Sequence, residues 1–141
     1  MRAVSALKRL ESDVLVYRSL RDFEESGRLA RVPLEAFTNN LRDVSAEVET
    51  ILTRLPDNRL KTEIDNALRS YQDGAFWWAK IDQPLVVHVS ALTPETTRGQ
   101  SDAAYLSTVP YIVAIHWRQA GKYLKLAEES LHQKLQQPAR G

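Results

Sequence analysis

Apolar residues recur at alternating intervals of three and four along most of this chain, which is the spacing of one face of an α-helix. The clearest run begins at Leu34 and ends at Leu55, and charged residues fall between its members. Pro33 fits the first turn of a helix, and Pro56 ends the pattern. We therefore predict a helix over about 33–55. Its apolar stripe consists of Leu34, Phe37, Leu41, Val44, Val48, Ile51 and Leu55.

Three other stretches show the same spacing and predict helices over about 2–26, 57–81 and 101–136. The first would end at Ser26-Gly27, because glycine tolerates the left-handed conformation that follows a last helical turn. The predicted stripes are Leu7, Leu10, Val14, Tyr17 and Leu20, widened by Val16 and Phe23; then Leu60, Ile64, Ala67, Tyr71, Gly74, Trp78 and Ile81; and then Leu106, Val109, Val113, His116, Ala120, Tyr123, Ala127, Leu131 and Leu135.

The segment 82–100 allows two interpretations. Pro84 should interrupt the third helix, and residues 86–89 have strand-forming side chains. The apolar spacing nevertheless continues across the proline through Leu85, His88 and Leu92. Either a kinked helix reaches about residue 92, or this segment is a packed, irregular loop. The polar residues 93–100 would then form the turn before the fourth helix.

Four amphipathic helices with short links predict an all-α fold, with one domain over 1–141 and an antiparallel, up-down-up-down four-helix bundle. The third and fourth helices would be longer than the others and bent at Pro84 and Pro110. Their hairpin, 81–112, would then project past the first two helices. It would carry an apolar surface that includes Leu85, Val87, Val89, Leu92, Tyr105, Leu106 and Val109.

That much apolar surface is uncommon on a soluble monomer. We therefore expect the 81–112 hairpin to pair with a second copy of the chain, to dock another protein, or to fold back over the bundle. The leading hypothesis for function is a non-enzymatic interaction protein that self-associates or binds a protein partner through this hairpin.

Composition narrows the classes of function. The 141 residues are 43% hydrophobic and 26% charged, and the net charge of +1 provides no general attraction for nucleic acid. The absence of cysteine excludes disulfides, thiolate zinc sites and iron–sulfur clusters. No apolar run is long enough to span a membrane. We expect a soluble protein, located in the cytoplasm or, if a signal peptide has been removed, in the periplasm or outside the cell.

Motifs for catalysis or cofactor binding are not apparent, so we expect neither an enzyme nor a cofactor. The glycines are scattered, and no phosphate-binding loop, nucleophile elbow or zinc-protease motif is present. Glu129 and His132 have the spacing of half a di-iron site, but no second such pair exists. His88 and His116 would lie several turns apart in the antiparallel hairpin, which argues against haem ligation. We expect no metal site.

A small-ligand pocket is the alternative hypothesis. His116 lies on the apolar stripe of the fourth helix, and Trp77 and Trp78 would lie across the hairpin from it, with Tyr71 a turn or two away. A polar imidazole among aromatic rings could line a site for an apolar or aromatic ligand. The competing interpretation is a core histidine that is hydrogen-bonded to a tyrosine or a carboxylate.

Overall fold

The structure, a computed structural model, describes the backbone of residues 1–81 and 96–136 and the side chains of residues 1–81 and 109–133. These residues form helices and no strand, so the all-α prediction is confirmed for this part of the chain. The predicted bend at Pro84 and the predicted helix or loop over 82–92 lie outside the described residues. The helices are α1 (Arg2–Asp13), α2 (Leu20–Ser26), α3 (Leu34–Leu52), α4 (Arg59–Ile81) and α5 (Thr96–Gln136).

The single helix predicted over 2–26 is replaced by α1 and α2. At Val14 the backbone becomes extended (φ −99°, ψ 163°) and forms an isolated antiparallel bridge with Ala30. The Leu15 N–H donates to the carbonyl of Leu29, and the Arg31 N–H donates to the carbonyl of Asp13. These bonds satisfy backbone groups that a continuous helix would have paired internally.

The short helix α2 has a cap at each end. The Ser19 hydroxyl accepts a hydrogen bond from the backbone N–H of Asp22 at 3.2 Å, which satisfies one of the free donors of the first turn. Gly27 ends the helix in the left-handed conformation, at φ 66°, as the sequence predicts. These caps fix α2 as a separate helix after the extended segment 14–18.

The fourth predicted helix begins earlier than expected. It starts at Thr96 rather than near residue 101, so Gly99 lies in its first turn instead of in the preceding loop. The resulting α5 is 41 residues long and runs through Pro110. Within the described part of the chain, no helix combines the length and apolar character needed to cross a membrane.

One core contains side chains from α1, α3, α4 and α5. The predicted stripes of α3 and α4 are buried over most of their length, including Phe37, Val48, Ile64 and Tyr71, each of which is 0% exposed. The stripe of α5 differs from the prediction at two positions, where Trp117 and Leu124 are buried in place of their neighbours His116 and Tyr123. The buried residues described in α5 are Val109, Val113, Trp117, Ala120, Leu124 and Ala127.

Two contacts in each of four helix pairs have opposite residue order: the contact with the higher number on one helix has the lower number on the other. These pairs are α1 with α3, α3 with α4, α4 with α5, and α1 with α5. The contacts are Arg9 with Glu47 and Asp13 with Asn40; Phe37 with Trp78 and Ser45 with Gln72; Glu63 with Ser130 and Trp78 with Trp117; and Lys8 with Glu128 and Glu11 with Gly121.

Candidate functional site

Tyr71 and Trp78, two of the predicted ligand-binding residues, belong to a packed aromatic cluster in the core. Trp117 is at its centre, with ring centroids 6.1 Å from Tyr71, 6.3 Å from Trp78 and 5.1 Å from Phe37. Distances of this size are typical of aromatic rings in direct contact. The rings therefore pack on one another instead of surrounding a cavity.

Gly74 allows Trp117 to occupy this position. A Cβ atom added at Gly74 would lie 2.7 Å from Cε3 and 2.9 Å from Cη2 of the Trp117 ring. Trp117 also donates from Nε1 to the carbonyl oxygen of Leu29 at 3.0 Å, so the indole joins α5 to the connection between α2 and α3. The glycine thus creates a slot on α4 that the indole fills.

The remaining two predicted ligand-binding residues, Trp77 and His116, are half-buried. Trp77 packs against the core, with its ring centroid 5.6 Å from that of Phe76. The Nδ1 atom of His116 is buried and has no hydrogen-bond partner. Neither of the two surface grooves described below is lined by any of the four predicted residues.

The Tyr71 hydroxyl is a second buried polar atom that lacks a hydrogen-bond partner. Burial raises the pKa of Tyr71 above its usual range, and the negative charge of Glu11 raises it further. A buried hydroxyl that has lost its water and gained no partner costs about 1–3 kcal/mol.

We therefore expect Tyr71→Phe to raise the free energy of unfolding by about 1 kcal/mol near pH 7. In the wild type, tyrosine ionises above about pH 10 in the unfolded chain but stays protonated in the folded one. The free energy of unfolding of the wild type therefore falls as the pH rises above about 10. Tyr71→Phe should lack this part of the decrease. Denaturant unfolding of both proteins at pH 7 and pH 10.5 measures the effect. A variant less stable than the wild type at both pH values would contradict it.

The predicted partner-binding residues fall into three groups. Leu85, Val87, Val89 and Leu92 lie outside the described residues. Tyr105 and Leu106 lie on α5, at positions where the structure does not describe side chains. Val109 is 0% exposed, because it faces the core, and so it offers no surface to a partner. The prediction that Val109 belongs to a docking surface is therefore wrong.

An exposed apolar surface lies beside α5 at Tyr111 and Ile115, which follow Val109 along the helix. We call it the apolar groove and define it by Val16, Leu20, Tyr111 and Ile115. The aliphatic members are more than half exposed, at 53% for Val16, 61% for Leu20 and 54% for Ile115. The space within the groove is about 130 Å³. It lies between α5 on one side and the extended segment and α2 on the other.

Aromatic contacts hold the wall of the apolar groove in place. The buried Phe23 ring packs edge-on against Tyr17 at 5.6 Å and against Tyr111 at 5.4 Å. The Tyr111 hydroxyl donates to the Glu24 carboxylate at 3.0 Å, and the Tyr17 hydroxyl donates to the Arg28 carbonyl at 2.8 Å. The contacts of Tyr111 attach α2 to α5, and those of Tyr17 attach the extended segment to α2 and to the residue after Gly27.

A second groove adjoins the first. We call it the basic groove and define it by Arg31, Arg118, Lys122 and Lys125, all of which are exposed. Glu11 lies on its opposite wall, with a carboxylate oxygen 3.8 Å from where a Cβ atom would stand at Gly121. Burial and the charge of Glu128 raise the pKa of Glu11, and Lys8 lowers it.

Groups that suggest other chemistry are few in the described part of the chain. The buried carboxylate of Glu63 is paired with Arg59 at 2.8 Å and accepts a hydrogen bond from Ser130 at 2.8 Å. Among the described side chains, no three His, Asp or Glu residues lie close enough to hold a metal ion. His132 is exposed near the end of α5.

The apolar groove does not follow from the spacing of apolar residues. The spacing places Val16 and Leu20 on the buried stripe of one continuous helix, and it places Ile115 on no stripe. The signal that could have found the groove is the run of β-branched and aromatic residues after Asp13, which favours extended backbone.

No family model, no curated protein and no solved structure matches this chain.

Proposed function

We propose that this chain is a non-enzymatic interaction protein that docks a segment of a partner protein in the apolar groove. The observation that carries this proposal is the exposure of three aliphatic side chains, Val16, Leu20 and Ile115, around one depression. Apolar residues exposed singly are ordinary on protein surfaces, whereas several that line one groove are typical of an interaction site.

The dimensions of the apolar groove favour a protein segment over a small molecule. Its volume of about 130 Å³ is below the roughly 300–1,000 Å³ of most small-ligand sites. An aliphatic side chain from a docked segment would fit such a depression. The alternative function, a ligand pocket at Tyr71, Trp77, Trp78 and His116, is supported by the unpartnered His116 Nδ1 and opposed by the close packing of the neighbouring rings.

We further propose that α1, α3, α4 and α5 form the antiparallel, up-down-up-down four-helix bundle predicted from the sequence, with α2 as an addition on its side. The reversed residue order of the contacts in four helix pairs supports this arrangement. In such a bundle the apolar groove lies at the base of the predicted 81–112 hairpin, because Tyr111 belongs to that segment. A partner could then contact the groove and the hairpin together.

A display library of random peptides, selected against the wild-type protein, tests the proposed function. We expect selected peptides to lose affinity by about tenfold or more for Ile115→Asp, because the new charge would be desolvated by a docked apolar side chain. Phe76→Asp is the matched control, since Phe76 is 58% exposed and lies outside the groove. It should change affinity less than about twofold.

Two results would contradict this assignment. One is a set of peptides that binds Ile115→Asp as tightly as the wild type. The other is a wild-type mass, by light scattering, of twice the 16.0 kDa chain that falls to 16.0 kDa in Ile115→Asp. The second result would identify another copy of this chain as the occupant of the groove.

A further inference from the structure

The apolar and basic grooves are continuous. Val16 and Arg118 line both of them. On the α5 side, Tyr111, Ile115, Arg118, Lys122 and Lys125 follow one another at intervals of four, three, four and three residues, which places them along one face of the helix. This face is therefore apolar at its N-terminal end and cationic at its C-terminal end.

The cations of the basic groove have little compensation from this chain. Among the described side chains, the ion pairs involve other residues, and none includes Arg31, Arg118, Lys122 or Lys125. Glu11 is the carboxylate that faces them across the groove. Glu128 and Glu129 also lie near Lys125 on α5, and Glu128 is already paired with Lys8 at 3.0 Å. Four positive charges against Glu11 and Glu129 leave a local excess that a negatively charged occupant would neutralise.

The two grooves together accommodate an elongated occupant. Tyr111 and Lys125 are fourteen residues apart on α5, a distance of about 21 Å at a rise of 1.5 Å per residue. This length corresponds to about four turns of a helix or about six residues of extended chain. A groove of this length fits a segment of chain with apolar and charged parts, rather than a single side chain.

From this placement, we propose that the partner segment is an acidic amphipathic peptide. Its aliphatic or aromatic side chains would fill the apolar groove, and its Asp and Glu side chains would lie over Arg118, Lys122, Lys125 and Arg31. This inference rests on the proposed function and adds the chemistry of the partner. The orientation follows as well, because the acidic part must lie toward the C-terminal end of α5.

A second copy of this chain would supply this chemistry poorly. On α2, which borders the apolar groove, the acidic side chains already have partners: Glu24 accepts a hydrogen bond from the Tyr111 hydroxyl at 3.0 Å, and Glu25 is 3.4 Å from Arg21. A single-stranded nucleic acid would neutralise the cations, but its bases need aromatic faces for stacking. The exposed lining of the apolar groove is instead mainly aliphatic. An acidic peptide uses both halves of the continuous groove.

The test uses the peptides selected with the wild-type protein. We expect them to be enriched in Asp and Glu beside apolar residues, and to bind about fivefold or more weakly when salt rises from about 0.05 M to about 0.5 M. Lys122→Glu/Lys125→Glu should weaken binding about tenfold or more. Arg42→Glu/Arg54→Glu, which makes the same change in net charge at exposed sites outside both grooves, should weaken it less than about threefold.

The outcomes separate this inference from the proposed function. Peptides that depend on Ile115 but show no acidic enrichment and no loss with Lys122→Glu/Lys125→Glu would overturn the inference and leave the proposed function standing. Peptides that depend on neither Ile115 nor the two lysines would overturn both. Tighter binding of a single-stranded oligonucleotide of about 14 nucleotides than of every selected peptide, lost in the lysine variant, would overturn the peptide assignment.

Discussion

Replacing Trp117 by alanine is expected to lower the free energy of unfolding by about 4 kcal/mol, a large share of the roughly 5–15 kcal/mol that stabilises a typical domain. Trp117 is 0% exposed and is the centre of the aromatic cluster. Its removal leaves a cavity among Phe37, Tyr71 and Trp78 and removes contacts that each of these rings makes with the indole. The Leu29 carbonyl also loses its hydrogen-bond donor.

Trp117→Phe separates the contribution of ring packing from that of the hydrogen bond to the Leu29 carbonyl. It retains an aromatic ring but removes the Nε1 donor, so we expect a smaller loss of about 1–2 kcal/mol. Denaturant unfolding, monitored by circular dichroism, measures all three proteins on one scale. Equal stabilities for Trp117→Ala and the wild type would show that the cluster is not part of the core.

Gly74→Ala is expected to lower the free energy of unfolding by about 2 kcal/mol, although alanine is ordinarily the better helix former by about 1 kcal/mol. The added methyl group would overlap three ring carbons of Trp117, because each would be closer than 3.0 Å. Because the indole is held by the aromatic cluster on one side and by its hydrogen bond to Leu29 on the other, it cannot move away without losing those contacts.

Gly121→Ala provides the matched control for Gly74→Ala. Gly121 also lies within a helix, but a Cβ atom there would meet only the Glu11 carboxylate, at 3.8 Å. We expect Gly121→Ala to stabilise the protein by about 0.5–1 kcal/mol, as helix propensity predicts. A stabilising effect at both positions, measured by denaturant unfolding, would contradict the close approach of α4 and α5 at Trp117.

The stripes of α3 and α4 could be predicted from the sequence because their apolar residues stand among polar neighbours. Phe37, Leu41, Val44 and Val48, for example, alternate with charged or small polar residues and are all buried. In α5 the apolar pattern is wider, and both members of His116-Trp117 and of Tyr123-Leu124 fit its spacing. Packing decides the first pair, since the Trp117 ring fills the space that Gly74 leaves open.

The break between α1 and α2 could not be derived from spacing alone. Val14, Tyr17 and Leu20 continue the interval of three and four, but the backbone here pairs with residues 29–31 in an extended conformation. That pairing depends on a contact across a turn of the chain, which a local pattern does not contain. The apolar groove exists because of this break, so the candidate site escaped prediction for the same reason.

The location of binding is the most direct test of the docking site. Backbone amide shifts of the ¹⁵N-labelled, full-length protein can be followed by NMR while a selected peptide is added. We expect shifts concentrated at residues 14–23, at Arg31 and at residues 111–125, which line the two grooves. Shifts concentrated around Phe76 or along residues 57–65, with the groove residues unchanged, would contradict it.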